Sequence, residues 1–206
     1  MIKLYGIPRS RGFRNIWALE EAGVAYEQVP VGFDGGEMSV SAPWFARINP
    51  AKRVPVLEDD GLVVTESLAI NLYLAKTYGP AIYPSDPKAE AKVLQWSFFA
   101  ATELERPIGR YNYNTFVYAP EKRSAEAAAA ALAEATPRLQ LLDLALGASP
   151  YLVGDAFTIA DLNVASVLYG VWFNGFDFSS TPNVAAWLER CLERPAALKA
   201  RKLREG

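Results

Sequence analysis

Histidine is absent from the 206 residues, and cysteine occurs once, as Cys191. The first absence removes the commonest general base and the commonest metal ligand. The second excludes an internal disulfide and a cysteine metal cluster. Ser-His-Asp hydrolases, Cys-His proteases and zinc enzymes are excluded on these two counts. Basic excess is lacking too: 21 Lys and Arg against 23 Asp and Glu give a net charge of −2, not the footprint of a nucleic-acid binder. No apolar run approaches the ~18 residues of a membrane span. The opening MIKLYGIPRSRG holds no stretch long enough for a signal peptide. The most apolar segment, 162–178, is interrupted by Asn163, Asn174 and Asp177 and reads as a buried core helix, so the expected location is cytoplasmic.

What is present is ordinary for a globular chain. Hydrophobic residues make up 51% and charged residues 21%, which excludes disorder, collagen and coiled coil as overall descriptions. Two halves differ. In the first, residues 2–5 read as a strand stopped by Gly6 and Pro8. Phe13, Ile16 and Trp17 share one face of a helix over 11–22, ended by Gly23. A strand over 26–31 follows, then a Gly-rich loop. Strands over 54–58 and 62–65 are joined by Asp59, Asp60 and Gly61, a hairpin signal. A helix over 66–78 closes the half, with Leu68, Leu72 and Ala75 on one face. Residues 79–87 contain Pro80, Pro84 and Pro87 and read as a linker. The rest is helical, over 88–117, 124–146, 158–173 and 182–192, with Pro107 and Pro137 placed to bend the helices that hold them. The expected domains are therefore 1–79 and 88–206.

Several signals carry chemistry beside a plainer meaning. Val54-Pro55 at the mouth of a short strand marks either an edge strand or a cis-Pro that turns the Val54 N–H and C=O toward an extended ligand. Thr65-Glu66-Ser67 reads as a helix cap with a first-turn acid. It also reads as an amino-acid headgroup site, where free N–H groups and the Ser67 hydroxyl take a carboxylate and Glu66 takes an ammonium. Ser10, at the mouth of the first helix, either caps it or donates to a thiolate held at the helix N-terminus. Tyr5 is a competing donor. Thr158 and Asp161 have capping-box spacing, and Phe157 with Leu162 has staple spacing. Phe99, Glu103, Arg106, Arg110 and Tyr113 recur at spacings of three and four. They form either a solvated helix face or a pocket wall.

Taken together, Leu4-Tyr5-Gly6 with Ser10, Trp17 to Glu21, the run Asn49 to Leu57, Thr65 to Ile70 and Phe157 to Asp161 resemble the cytosolic glutathione transferases over essentially the whole chain. The likeness is to bacterial, serine-type members related to the theta and beta classes. The resemblance implies an α/β thioredoxin-like N-terminal domain, an all-α C-terminal helical bundle and a homodimer. It implies glutathione as co-substrate without a metal. Val54 ahead of cis-Pro55 would meet the cysteinyl part, Glu66 and Ser67 the γ-glutamyl headgroup, and Lys52 or Arg53 the glycine carboxylate. Ser10 takes the thiol-contacting position, while Phe99, Arg106, Arg110 and Tyr113 would line the pocket of a small hydrophobic electrophile.

The mechanism implied needs neither His nor Cys from the protein, because the nucleophile is the glutathione thiol. A free thiol titrates near ~8.5, and lowering it by about two units takes roughly 2.7 kcal/mol, the scale of one hydroxyl donor plus a helix N-terminus. Position 10 is Ser and no cysteine lies near the first helix, which speaks against mixed-disulfide reductase chemistry. Arg9, Arg11 and Arg14 crowd Ser10, either to help ionise the thiol or to meet an anionic second substrate. Two other readings stay open: a glutathione-dependent peroxidase, isomerase or dehalogenase on the same scaffold, and a non-catalytic interaction module of the same fold.

Overall fold

The computed structural model describes residues 1–206, which pack as two compact units divided between Tyr83 and Pro84. The first unit is built on a four-stranded sheet in the order β2-β1-β3-β4. Its strands are β1 (Ile2–Tyr5), β2 (Tyr26–Val29), β3 (Val56–Asp59) and β4 (Leu62–Thr65). β1 runs parallel to β2, with α1 (Gly12–Ala22) as the crossover, and antiparallel to β3. The β3–β4 turn places Asp60 and Gly61 at positive φ, the geometry a two-residue hairpin requires.

The pleat separates two cores. Leu4 and Leu57 are cross-strand partners and fully buried, on the face covered by α1 and α3 (Ser67–Tyr78). Tyr5 and Val56, the next pair along, turn to the opposite face and pack with Val31 and Phe45. Phe45 belongs to α2 (Pro43–Ile48), a helix too short to show periodicity in the sequence. β2 stops before Pro30, which has no N–H for the ladder. β3 likewise begins after Pro55 rather than at Val54, and the Val54–Pro55 peptide is cis.

The second unit is helical: α4 (Pro87–Phe99), α5 (Glu105–Asn112), α6 (Ala125–Leu146), α7 (Ile159–Phe173) and α8 (Pro182–Leu192). α7 is its axis, buried from Ile159 to Tyr169. Its start is fixed by the capping box of Thr158 and Asp161. The buried Asp161 carboxylate also accepts from Leu152 N–H and from the Trp187 indole, each at 2.9 Å. α6 runs unbroken through Pro137.

The 88–206 boundary needs correction at its end. α9 (Pro195–Glu205) packs with the first unit, on α1. The reason is chemical: Ala196, Ala197 and Ala200 let the two helices approach closely, and Arg194 forms a two-pronged ion pair with Glu21 at 2.6 and 2.7 Å. α1 is consequently buried all round from Gly12 to Leu19, not only along Phe13, Ile16 and Trp17.

Candidate functional site

The site is built where three connections of the first unit meet: β1 to α1, the loop before β3, and β4 to α3. Gly6 is their hinge. It sits at φ +139, and a Cβ there would lie 3.3 Å from Val54 Cβ, 3.6 Å from Ser10 Oγ and 3.7 Å from Pro55 Cα. Only glycine fits that conformation and that space. Ser10 and the Val54–Pro55 segment therefore converge on Gly6. The Val54 main chain takes part neither in the sheet ladder nor in the loop hydrogen bonds.

The half-buried Ser10 hydroxyl donates to the Ile7 carbonyl at 2.7 Å and accepts from Gly12 N–H at 3.0 Å. It thus serves the first turn of α1, the plainer of its two sequence roles. Its hydrogen is also the one available to a better acceptor, since a hydroxyl rotates to suit its partner. Gly12 is needed for this arrangement: a Cβ there would stand 3.2 Å from both Ser10 Oγ and the Ile7 carbonyl oxygen.

Tyr5, the second catalytic candidate, is engaged within the fold. Its side chain is buried against Trp44 and Phe45, and its hydroxyl donates to Glu58 at 2.6 Å. Burial, reinforced by the Glu58 carboxylate, pushes the phenol up to about 12. Its proton stays on the ring and is already given away.

The start of α3 is the most informative part. No side chain caps it, so Thr65 does not play the plain capping role and the first-turn N–H groups are left without an internal acceptor. Ser67 is buried there, and its Oγ accepts from the buried Arg14 guanidinium at 3.2 Å. Accepting from Arg14 leaves the Ser67 hydroxyl hydrogen free to donate. Asn15 Nδ2 donates to the Ser67 carbonyl at 2.8 Å and to Asn71 Oδ1 at 2.7 Å. Glu66, exposed beside it, is held at φ 65 and ψ 109, a conformation costing a non-glycine residue about 1–3 kcal/mol. The strained backbone thus sets one carboxylate next to open N–H groups at the start of α3.

Lys52 and Arg53 are exposed in the loop before β3, whose shape is set by Asn49. Asn49 Nδ2 donates to the Arg53 carbonyl at 2.8 Å, its Oδ1 accepts from Ala51 N–H, and its carbonyl accepts from Lys52 N–H. The sequence reading missed Asn15 and Asn71 entirely, and it placed Arg14 beside Ser10 rather than behind Ser67. Asn15 and Asn71 had a signal, as polar residues on buried faces of otherwise apolar helices.

In the second unit the five-residue stripe does not hold. The helix widens to π-helical turns at Ala100–Leu104 and Tyr113–Val117, which shifts the phase that a spacing of three and four assumes. The first turn ends shortly before Pro107, whose ring cannot tolerate the Glu103 carbonyl in regular α geometry. Glu103 and Arg110 point to α6, pairing with Arg138 at 3.1 Å and Glu134 at 3.2 Å. Phe99 packs edge-on against Trp96, Arg106 is exposed, and Tyr113 is exposed beside Tyr118. A cleft of about 300 Å³ in this unit is lined instead by Tyr111, Leu132, Thr136 and Phe176.

Known proteins resemble this chain along its length. The glutathione S-transferase N-terminal domain model matches residues 1–76, and the C-terminal domain model matches residues 107–195. The chain is 30% identical over 203 residues to glutathione S-transferase GstB of Escherichia coli K12, covering 97% of each. It is 32% identical over 195 residues to glutathione S-transferase F14 of Arabidopsis thaliana, covering 89% of this chain and 76% of that one. Among solved structures, the theta-class glutathione S-transferase of Xanthomonas axonopodis pv. citri, with glutathione bound, superposes with a TM-score of 0.87 at 32% identity, covering 97% of this chain and 96% of that one. The two-unit architecture, the convergence of Ser10 with Val54–Pro55, and similarity along the full length together place the chain in the glutathione S-transferase family.

Proposed function

We propose that this glutathione S-transferase conjugates glutathione to small hydrophobic electrophiles, with Ser10 as the residue that stabilises the thiolate. Glutathione supplies the nucleophile, a thiol that reacts once ionised. The remaining work falls to the chain's own groups. The open N–H groups of α3 and the Ser67 hydroxyl take the γ-glutamyl carboxylate, with the buried Arg14 adding positive charge behind Ser67. Glu66 takes the ammonium. Lys52 and Arg53 offer cations to the glycine carboxylate, and Val54 offers its main-chain N–H and C=O to the cysteinyl amide. Ser10 transfers its donated hydrogen bond from the Ile7 carbonyl to the thiolate at the N-terminal end of α1. The thiolate is a charged acceptor, and hydrogen bonds to charged groups are worth more than those to a neutral carbonyl.

The observation that carries this reading is the uncapped start of α3 with Ser67 backed by Arg14, a carboxylate site with no other evident use. Phe99, Arg106 and Tyr113 remain the candidates for the electrophile side, while Arg110 is committed to Glu134. A homodimer is part of the proposal. β4 exposes Leu62 and Val63, and α4 exposes Leu94 and Phe98, apolar side chains suited to burial by a second copy. No helix is long and apolar enough to cross a membrane, and a cytoplasmic location fits this reading.

The test is steady-state conjugation of glutathione to a nitro-activated aryl halide by wild type, Ser10→Ala and Tyr5→Phe. Ser10→Ala is expected to lower kcat about tenfold to a hundredfold, the loss of one hydrogen bond to a charged group. Tyr5→Phe is expected to stay within about twofold, because the Tyr5 proton is committed to Glu58. The reverse order would reassign the thiol contact to Tyr5.

A further inference from the structure

We propose that Arg204, on the last turn of α9, is a positioning residue for the turn that carries Ser10. The inference rests on Ser10 as the thiol-contacting residue. One nitrogen of the Arg204 guanidinium, Nη1, donates to the Pro8 carbonyl at 2.9 Å and to the Ser10 carbonyl at 3.0 Å. Cζ of the same group lies over the Phe13 ring, 5.4 Å from its centroid. In return, Arg9 Nε donates to the Arg204 carbonyl at 3.4 Å. The half-buried side chain thus fastens the turn on both sides of Arg9 while stacking on the first turn of α1.

The first turn of α1 also holds Ser10, with Phe13 N–H on its carbonyl at 3.2 Å and Gly12 N–H on its Oγ at 3.0 Å. Ser10 is tied to Ile7 by its N–H at 3.0 Å and by its hydroxyl, and the hydroxyl bond is the one that must be surrendered to a thiolate. When the Ser10 hydroxyl turns away from Ile7, the Arg204 contacts to the Pro8 and Ser10 carbonyls act with Phe13 N–H to keep the Ser10 main chain in place. They hold the donor against the end of α1 and spare the reaction the cost of ordering it. The opposite end of α9 is anchored independently by Arg194 on Glu21, which also accepts from the Trp17 indole at 3.0 Å. α9 is therefore a rigid strut lying on α1, and Arg204 is the point at which it touches the chemistry.

The experiment measures the pKa of enzyme-bound glutathione by thiolate absorbance, together with kcat and KM for glutathione. The variants are Arg204→Ala, Arg204→Lys, Lys199→Ala and Ser10→Ala. Lys199, paired with Glu20, is another tie between α9 and α1, remote from the turn, and serves as the control for helix docking. Arg204→Ala is expected to raise the thiol pKa by about one unit, so that kcat measured below that pKa falls about tenfold while KM for glutathione stays within about twofold. Arg204→Lys keeps the charge and a single donor and is expected to recover part of the loss, which keeps the test open if the alanine variant folds poorly. Lys199→Ala is expected to leave the thiol pKa at its wild-type value. An unchanged thiol pKa in Arg204→Ala, with Ser10→Ala shifted, overturns the positioning role and leaves the Ser10 assignment standing. Equal shifts in Arg204→Ala and Lys199→Ala overturn it as well, in favour of general helix docking. An unshifted Ser10→Ala removes the Ser10 assignment itself, and the positioning role with it.

Discussion

Glu66 carries backbone strain at the start of α3, where the proposed function places the ammonium of glutathione. Its left-handed φ of 65 is unfavourable for any side chain, and the carboxylate it presents is exposed rather than paired within the fold. Glu66→Gly is expected to raise the unfolding free energy by about 1 kcal/mol in denaturant titration. The same variant is expected to weaken glutathione binding about tenfold or more, through the lost contact to the ammonium. Glu66→Gln separates the two effects, keeping the strain and losing only the charge. Tyr5 makes a different contrast. Its phenol is raised from 10 to about 12, so the folded state holds the proton more tightly than the unfolded state does. That contribution to stability is complete below pH 10 and is lost as the pH rises through 12. Tyr26, raised to about 12 by burial and by Glu20, adds to the same window. Tyr5→Phe should therefore show a shallower loss of stability between these two values than wild type, checked by chemical denaturation across the alkaline range.

At the scale of elements, the sequence disclosed what repeats or punctuates. The hairpin around Asp60-Gly61, the apolar length of α7 and its capping box were legible because each rests on local chemistry. α2 was not, since six residues carry no period. α9 was not, because Lys199, Arg201, Lys202, Arg204 and Glu205 mask a buried face made only of alanines. The stripe from Phe99 to Tyr113 misled for a definite reason: two π-helical turns change the rotation per residue, and no sequence rule of three and four survives them. Ser67 was legible as a hydroxyl at the start of α3, but its Arg14 partner comes from another element, 53 residues away in the chain. Asp161 gives the clearest element-level prediction. Burial drives its carboxyl pKa upward against the hydrogen bonds that lower it, and four donors converge on it: Leu152 N–H, Thr158 N–H, the Thr158 hydroxyl and the Trp187 indole. Asp161→Ala orphans those donors and is expected to cost about 3–5 kcal/mol. Thermal unfolding checks this, and a loss below 1 kcal/mol would mean that the capping box is incidental to folding.

The whole molecule divides its labour between two units of different chemistry. The first concentrates the fixed polar geometry: glycines at 6 and 12, the Ser10 turn, the Asn49 loop and the open start of α3. The second is helical, built around the buried α7, and in the proposed function it supplies the side chains that meet the electrophile. Absence of histidine is no handicap in such a design, because the reactive sulfur arrives with the co-substrate. The proposed function stands or falls with the start of α3 as a carboxylate site for the glutathione headgroup. Calorimetric titration of glutathione into wild type and Ser67→Ala tests it most directly. The account predicts binding in the micromolar-to-millimolar range by wild type, weakened at least about tenfold by the loss of the Ser67 hydroxyl. Absence of binding by wild type, or equal affinity in the variant, would contradict it.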